Sequence, residues 1–200
     1  MKALGSVLAI VLMAATLPGA PAETKVTARH AWGAVAGGLR VGISPVGSGI
    51  HSSSDVQFDV AFENTGDSAF FVNLGLMLGN GKSMFPTSLG LVLTDPTAHT
   101  RELDFLMPIV SGRVDDFIVP LRKSSMYGLR VSLNQYWSPA TKEFRLKLAA
   151  GKYRIAARFE GKGAAFVNRD MQGLTLVNVW KGSLQSNVID FKVSTPVSSR

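Results

Sequence analysis

Apolar and polar side chains alternate along several short stretches of the chain. Val56, Phe58, Val60 and Phe62 are separated by polar or small residues, and residues 144–148 read apolar, basic, apolar, basic, apolar. A period of two is typical of a β-strand that buries one face, because successive side chains point to opposite faces of a sheet. The pattern predicts half-buried antiparallel strands at 56–62 and 144–148.

Shorter apolar runs, separated by turn-forming residues, predict the other strands. Residues 70–78 are almost continuously apolar, as expected at the centre of a sandwich, and Asn80-Gly81 behind them is a strong turn signal because both residues tolerate positive φ. Pro108 and Pro120 lie close to strand ends, which indicates edge strands, where a missing N–H costs little. The remaining runs are 39–43, 89–93, 103–107, 117–119, 127–133, 153–159 and 188–193. Many short strands without a helical period favour an all-β sandwich or barrel.

The N-terminal segment has the three-part pattern of a secretory signal peptide. Lys2 is its only charged residue, residues 4–17 are almost wholly apolar, and residues 20–22 (Ala-Pro-Ala) are the small residues that signal peptidase reads. The apolar run is shorter than the ~20 residues that a transmembrane anchor needs, and it ends in Pro-Gly. We therefore predict a signal peptide at 1–22, followed by a flexible lead at 23–37.

The amino-acid composition limits the cellular compartments and the kinds of binding partner that we expect for this protein. The chain has no cysteine, which excludes disulfides and a lipid-modified cysteine, and it has no Asn-x-Ser/Thr acceptor triplet. Together with the signal peptide, these absences predict a bacterial protein exported to the periplasm or the exterior, with no membrane span in the mature chain. The net charge is +7, with 21 Lys and Arg against 14 Asp and Glu. The basic residues are scattered rather than clustered, which argues against a specific nucleic-acid partner.

One motif resembles the tyrosine corner of immunoglobulin-like folds. It is LAAGKY at 148–153, and in such a corner a tyrosine near the start of strand F bonds to the backbone of the preceding turn. Residues 153–161, 180–193 and 56–66 resemble strand F, the last strand and strand B of bacterial exported immunoglobulin-like domains.

This resemblance implies a fold but not an activity. In disulfide-bearing members, strands B and F each carry a cysteine, and here Ile155 and an apolar residue such as Val60 would occupy those places. We predict one all-β unit at 38–195, an immunoglobulin-like antiparallel β-sandwich with an elaborated middle region. Residues 79–140 match no known module, and a C-terminal tail follows at 196–200.

Catalytic and metal-binding patterns are not found in the sequence. His30, His51 and His99 are far apart and have no Glu at metal-site spacing. Asp115-Asp116 could contribute to a calcium site, but no calcium-loop spacing surrounds the pair, which favours a solvated turn. Because no nucleophile–base pattern is present either, we predict no catalytic residue, no cofactor and no enzyme activity.

Three aromatic residues are candidates for ligand binding. Tyr136, Trp137 and Trp180 could stack against a sugar, because aromatic faces are common platforms for carbohydrate and partner recognition. The alternative is that they cover the ends of the sandwich core, since large aromatic residues are mostly buried.

A long connection provides the other candidates and completes the functional prediction. Asn168, Arg169 and Asp170 lie within 161–178, which is longer than a hairpin requires, and long loops on a rigid sandwich often bind ligands. We expect an exported, non-enzymatic binding or structural module of the bacterial envelope, with a protein or polysaccharide partner. The alternatives are a proteinase inhibitor with an exposed loop and a carbohydrate-binding module.

Overall fold

The computed structural model of the chain describes residues 30–47, 50–51, 56–164 and 178–194. The predicted signal peptide at 1–22 and the tail at 196–200 lie outside this part. The described residues form strands, turns and one 3-10 helix at Leu133–Gln135, without an α-helix, which confirms the all-β class. In chain order the strands are β1 (Ala31–Trp32), β2 (Leu39–Pro45), β3 (Ile50–His51), β4 (Gln57–Asn64), β5 (Phe70–Leu78), β6 (Met84–Phe85), β7 (Leu89–Thr94), β8 (Thr100–Phe105), β9 (Val114–Leu121), β10 (Met126–Ser132), β11 (Tyr136–Trp137), β12 (Gly151–Lys162), β13 (Lys181–Gln185) and β14 (Ile189–Val193).

The described strands form three sheets. The first has the order β1-β2-β4-β10 and is antiparallel throughout. The second has the order β11-β8-β7-β12-β14-β3, with β13 also paired to β12, and its one parallel pair is β14 with β3. The third, smaller sheet has the order β6-β5-β9. Consecutive strands β2 and β3 therefore belong to different sheets.

The first two sheets pack face to face around an apolar core. Phe58 of β4 meets Phe191 of β14 with ring centroids 5.3 Å apart, and Phe62 meets Phe159 of β12 at 4.9 Å, both edge to face. These four side chains are buried because the period of two along each strand points them inward. Burying a phenylalanine stabilises the fold by roughly 1.5–3 kcal/mol, so these contacts hold the two layers together.

A polar cluster connects the third sheet to the end of β12 in the second sheet. Asn73 of β5 donates from Nδ2 to Asp116 Oδ1 at 3.0 Å and to the Gly163 carbonyl at 2.5 Å, and its Oδ1 accepts from the Gly75 N–H at 3.0 Å. The register between β5 and β9 shifts after Asn73, which marks a β-bulge. The amide thus replaces ladder hydrogen bonds that the bulge removes.

The prediction of a solvated turn at Asp115-Asp116 is wrong. Both residues lie in β9 and are buried, and Asp115 accepts a hydrogen bond from Arg113 Nε at 3.0 Å. Buried carboxylates persist only where charges or donors compensate their lost hydration, and here Arg113 and Asn73 do so. Pro120 also lies in β9, at an edge of the third sheet, as predicted for a proline beside a strand end.

Tyr153 has the hydrogen bond that the resemblance implied. Its hydroxyl donates to the Ala149 carbonyl at 2.9 Å, and its ring stacks on Phe191 with centroids 5.3 Å apart. Because only 3% of Tyr153 is exposed, the ring and the hydroxyl together attach the turn before β12 to the core.

The prediction of a strand at 144–148 is wrong. The segment is not paired with any strand of the described residues, although Leu148 is buried and Leu146 half-buried. Alternation shows which side chains face the core, but a strand also needs a neighbouring strand to share its hydrogen bonds.

Strand β1 lies inside the segment 23–37 that was predicted to be a flexible lead, because Ala31 and Trp32 pair with β2.

Candidate functional site

Two of the three candidate aromatic residues belong to the core. Tyr136 is fully buried and packs edge to face on Phe105 at 5.7 Å, so its ring is not available to a ligand in solvent. Burial raises the pKa of the Tyr136 hydroxyl, which has no hydrogen-bond partner among the described residues. Trp180 is also buried, and its Nε1 donates to the Ala36 carbonyl at 3.2 Å.

Trp137 is the candidate aromatic residue that reaches the surface. It is half-buried, and Phe144 stacks on it in parallel, with ring centroids 4.9 Å apart and planes 1° apart. Phe144 is held there by paired backbone hydrogen bonds between Ser138 and Glu143, of 3.1 and 3.2 Å. Arg101 adds an ion pair to Glu143 at 2.8 Å. The Trp137 ring is therefore held in a fixed orientation before any ligand arrives.

Trp137 lies on one wall of a surface cleft, which we name the Trp137 cleft. The cleft has a volume of about 490 Å³ and lies on the outer face of the second sheet, opposite the core. Its lining residues are Thr87, Ser88, Gly90, Asp104, Phe105, Leu106, Met107, Trp137, Arg158, Glu160 and Lys162.

A row of residues from four neighbouring strands lines this cleft. Trp137 of β11 is the register partner of Asp104 of β8. Asp104 Oδ1 accepts a hydrogen bond from Arg158 Nη2 of β12 at 2.9 Å. Gly90 of β7 is the register partner of Arg158 and lies beneath its guanidinium. The sheet order places these residues side by side, although Asp104 and Arg158 are 54 positions apart.

Gly90 makes the long reach of Arg158 possible. A Cβ at position 90 would lie 3.0 Å from Arg158 Nη2 and 3.0 Å from the Leu103 carbonyl oxygen. Glycine in a strand often marks such a close approach. With no side chain at this position, Arg158 can lie across β7 and bond to the strand beyond it.

Charges in the Trp137 cleft largely compensate one another. Besides Asp104, Arg158 has Glu102 at 3.6 Å and Glu160 at 3.8 Å, and three quarters of its side chain is buried. Glu160 also accepts a hydrogen bond from Ser183 of β13, and Lys162 adds a second cation to the lining. The cleft thus presents fixed hydrogen-bonding groups of both signs rather than a strong field of one sign.

A second depression, which we name the Leu146 cleft, has a volume of about 640 Å³. It is lined by Arg145, Leu146, Lys147 and Leu148, together with Val56 before β4 and Leu133 and Asn134 after β10. Its buried residues are apolar, and its rim carries the exposed Arg145 and Lys147.

The loop residues predicted to bind a ligand, Asn168, Arg169 and Asp170, lie outside the described residues. Among the described residues, no group of three or more His, Cys, Asp and Glu side chains could hold a metal ion. Within the same ranges, no helix has the length and apolar character needed to cross a membrane.

Sequence reasoning identified Trp137 but missed the residues around it. Arg158 and Glu160 were visible as charged residues alternating with apolar ones, and Gly90 was visible as a glycine inside an apolar run. No local pattern could show that Asp104 and Trp137 join them, because that depends on the order β11-β8-β7-β12.

Comparisons with known proteins do not place the site in a family. No family model matches the chain, and no curated protein matches it either. The interpretation of the Trp137 cleft therefore depends on its own geometry.

Proposed function

We propose that this chain is an exported binding module of the bacterial envelope, without catalytic turnover, and that it binds an uncharged saccharide in the Trp137 cleft. The observation that carries the proposal is the Trp137 ring, fixed by Phe144 beside the Asp104–Arg158 pair. An aromatic face stacks on the apolar face of a sugar ring, and neighbouring charged groups hydrogen-bond its hydroxyls.

The charge balance supports an uncharged ligand over an acidic one. Arg158 already has three carboxylates within 4 Å, so an anion would compete with Asp104 for the guanidinium. Hydroxyl groups can instead donate to Asp104 and Glu160 and accept from Arg158 without breaking an ion pair. Ser88 and Thr87 add hydroxyls on another side of the cleft.

The immunoglobulin-like class forms part of the same proposal. Strands β2, β4 and β10 lie side by side in one sheet and β7, β12 and β14 in the other, as strands A, B, E and C, F, G do in immunoglobulin-like folds. The Tyr153 bond to Ala149 lies at the start of the strand equivalent to F. The third sheet, β6-β5-β9, is then the elaborated middle region.

Replacing Trp137 with alanine is expected to weaken saccharide binding about thirtyfold, the effect of losing one central aromatic contact of about 2 kcal/mol. The measurement is isothermal titration calorimetry against soluble neutral and acidic polysaccharides, with assays for released sugar. Trp32→Ala is the matched control, since Trp32 is half-buried on the first sheet beneath Arg40. Equal affinity of the parent and the Trp137→Ala variant would exclude this cleft as the saccharide site.

A second candidate function, proteinase inhibition, is favoured by one observation. Pro108 and Ile109 are exposed in the connection between β8 and β9. The relative solvent exposure of Ile109 is 106%, which means that its whole side chain is in contact with solvent. The Ile109 side chain projects fully into solvent, where it is free to enter an apolar pocket of another protein. It would fit the specificity pocket of a protease that prefers aliphatic residues.

If that second function holds, the protein inhibits an elastase-like serine protease at equimolar dose. Ile109→Asp is expected to abolish the inhibition, because a carboxylate is disfavoured in an apolar pocket. Val188→Asp is the control, since Val188 is 53% exposed elsewhere on the surface. Titration of protease activity decides the question, and full activity at a tenfold excess of the parent protein would reject the inhibitor function.

A further inference from the structure

The segment Arg145–Leu148 has a backbone that pairs with none of the described strands. Among the described residues, the backbone groups of residues 144–146 and 148 make no hydrogen bond, and the Lys147 N–H donates to the Glu143 side chain at 3.1 Å. Backbone groups without a protein partner require water or another chain to satisfy them. This segment therefore offers a template for a strand from another molecule.

Its side chains alternate between exposed and buried positions, as they would in a half-buried strand. Leu148 is buried and Leu146 half-buried, whereas Arg145 and Lys147 are exposed. Neither Arg145 nor Lys147 forms an ion pair within the part of the chain that the structure describes. The two cations therefore stand on one side of the segment, at alternate positions.

We infer that an extended acidic segment of a partner protein adds a strand against Arg145–Leu148, along the Leu146 cleft. In such an addition, main-chain hydrogen bonds supply affinity and alternate side chains supply specificity. Carboxylates at alternate positions of the partner become the cross-strand neighbours of Arg145 and Lys147, where opposite charges attract. The residues between those carboxylates face the cleft beside Leu146 and are apolar.

Charge complementarity favours this partner over others. The whole chain has a net charge of +7, so an acidic segment is attracted before it docks. An anionic lipid would satisfy the two cations and the apolar cleft, but it would leave the backbone groups of the segment unpaired. The inference concerns a different surface from the Trp137 cleft and does not depend on saccharide binding.

The test uses a synthetic peptide of alternating valine and glutamate and the same peptide with N-methylated backbone at alternate positions. We expect the first peptide to bind and to slow amide hydrogen exchange at residues 145–148. The N-methylated peptide keeps the charges but cannot complete the ladder, and it is expected to bind at least tenfold more weakly. A peptide of alternating valine and lysine is expected not to bind.

The variant pair Arg145→Glu with Lys147→Glu is expected to weaken the valine–glutamate peptide at least tenfold. The control pair, Lys82→Glu with Arg122→Glu, changes the net charge equally at exposed positions on other connections and is expected to leave binding unchanged. Affinity for the parent protein is also expected to fall as salt is raised.

Three results would overturn the inference. Equal binding of both glutamate peptides would show an electrostatic contact without strand addition. Binding of vesicles of anionic phospholipid without binding of the peptide would identify a lipid surface instead. Slow amide exchange at residues 145–148 in the free protein would show that another segment of the chain already covers them.

Discussion

Replacing Tyr153 with alanine is expected to lower the free energy of unfolding by about 3–5 kcal/mol, as other aromatic-to-alanine changes in cores do. The change removes a core ring that stacks on Phe191, and only 3% of the Tyr153 surface is exposed to solvent. It also leaves the Ala149 carbonyl without its hydroxyl donor. Urea unfolding followed by circular dichroism measures the loss as a lower midpoint.

Two tyrosine-to-phenylalanine variants separate the hydroxyl from the ring. Tyr153→Phe removes only the hydrogen bond to Ala149 and is expected to cost about 1 kcal/mol. Tyr136→Phe removes a buried hydroxyl that has no partner among the described residues, so stability is expected to stay level or rise. If Tyr153→Phe and Tyr153→Ala both melt like the parent, Tyr153 does not attach the turn to the core, and the immunoglobulin-like proposal loses its main support.

Gly75→Ala is expected to destabilise the protein by about 4 kcal/mol. Gly75 lies in the bulge of β5 with φ of 142°, which is unfavourable for residues with a side chain, and such backbone strain costs about 1–3 kcal/mol. Its Cβ would lie 2.3 Å from the Phe85 carbonyl oxygen and 2.4 Å from the Thr87 nitrogen. Displacing packed backbone adds about 1–3 kcal/mol.

The matched control for this variant is Gly81→Ala. Gly81 also has positive φ, at 69°, but a Cβ there would meet nothing within 4 Å. Alanine in this left-handed conformation costs only about 1–2 kcal/mol. Thermal or urea melts of the two variants separate strain from steric overlap, and equal losses would mean that the backbone around the bulge moves freely to accept a side chain.

Strands whose burial follows directly from their own residues were predictable from the sequence. Residues 57–62 of the predicted strand 56–62 lie in β4, 153–159 lie in β12, and 70–78 coincide with β5. In each case the apolar residues are numerous enough, and suitably spaced, to require a buried face wherever the strand lies. The hydrogen bond of Tyr153 was equally predictable, because its acceptor is only four residues upstream.

Interactions between distant segments were not predictable in this way. Residues 144–148 alternate as clearly as 56–62 do, yet only the latter have neighbouring strands. Asp115 and Asp116 look like turn residues, but Arg113 and Asn73 supply the donors that let them enter a strand. Burial of a polar residue is decided by its partners, and partners far along the chain leave no local pattern.

Periodicity and short-range turn chemistry in this sequence determined that the protein is all-β, where most of its strands lie and which of their faces are apolar. Tertiary structure alone decided that Tyr136 is buried while Trp137, the next residue, lies at a cleft with Asp104 and Arg158. The physical reason is that the pattern along a strand shows only whether each side chain faces the core or solvent. It does not show which strands pair with each other. Strand pairing depends on the packing of whole sheets, and this packing brought together residues from β8, β11 and β12.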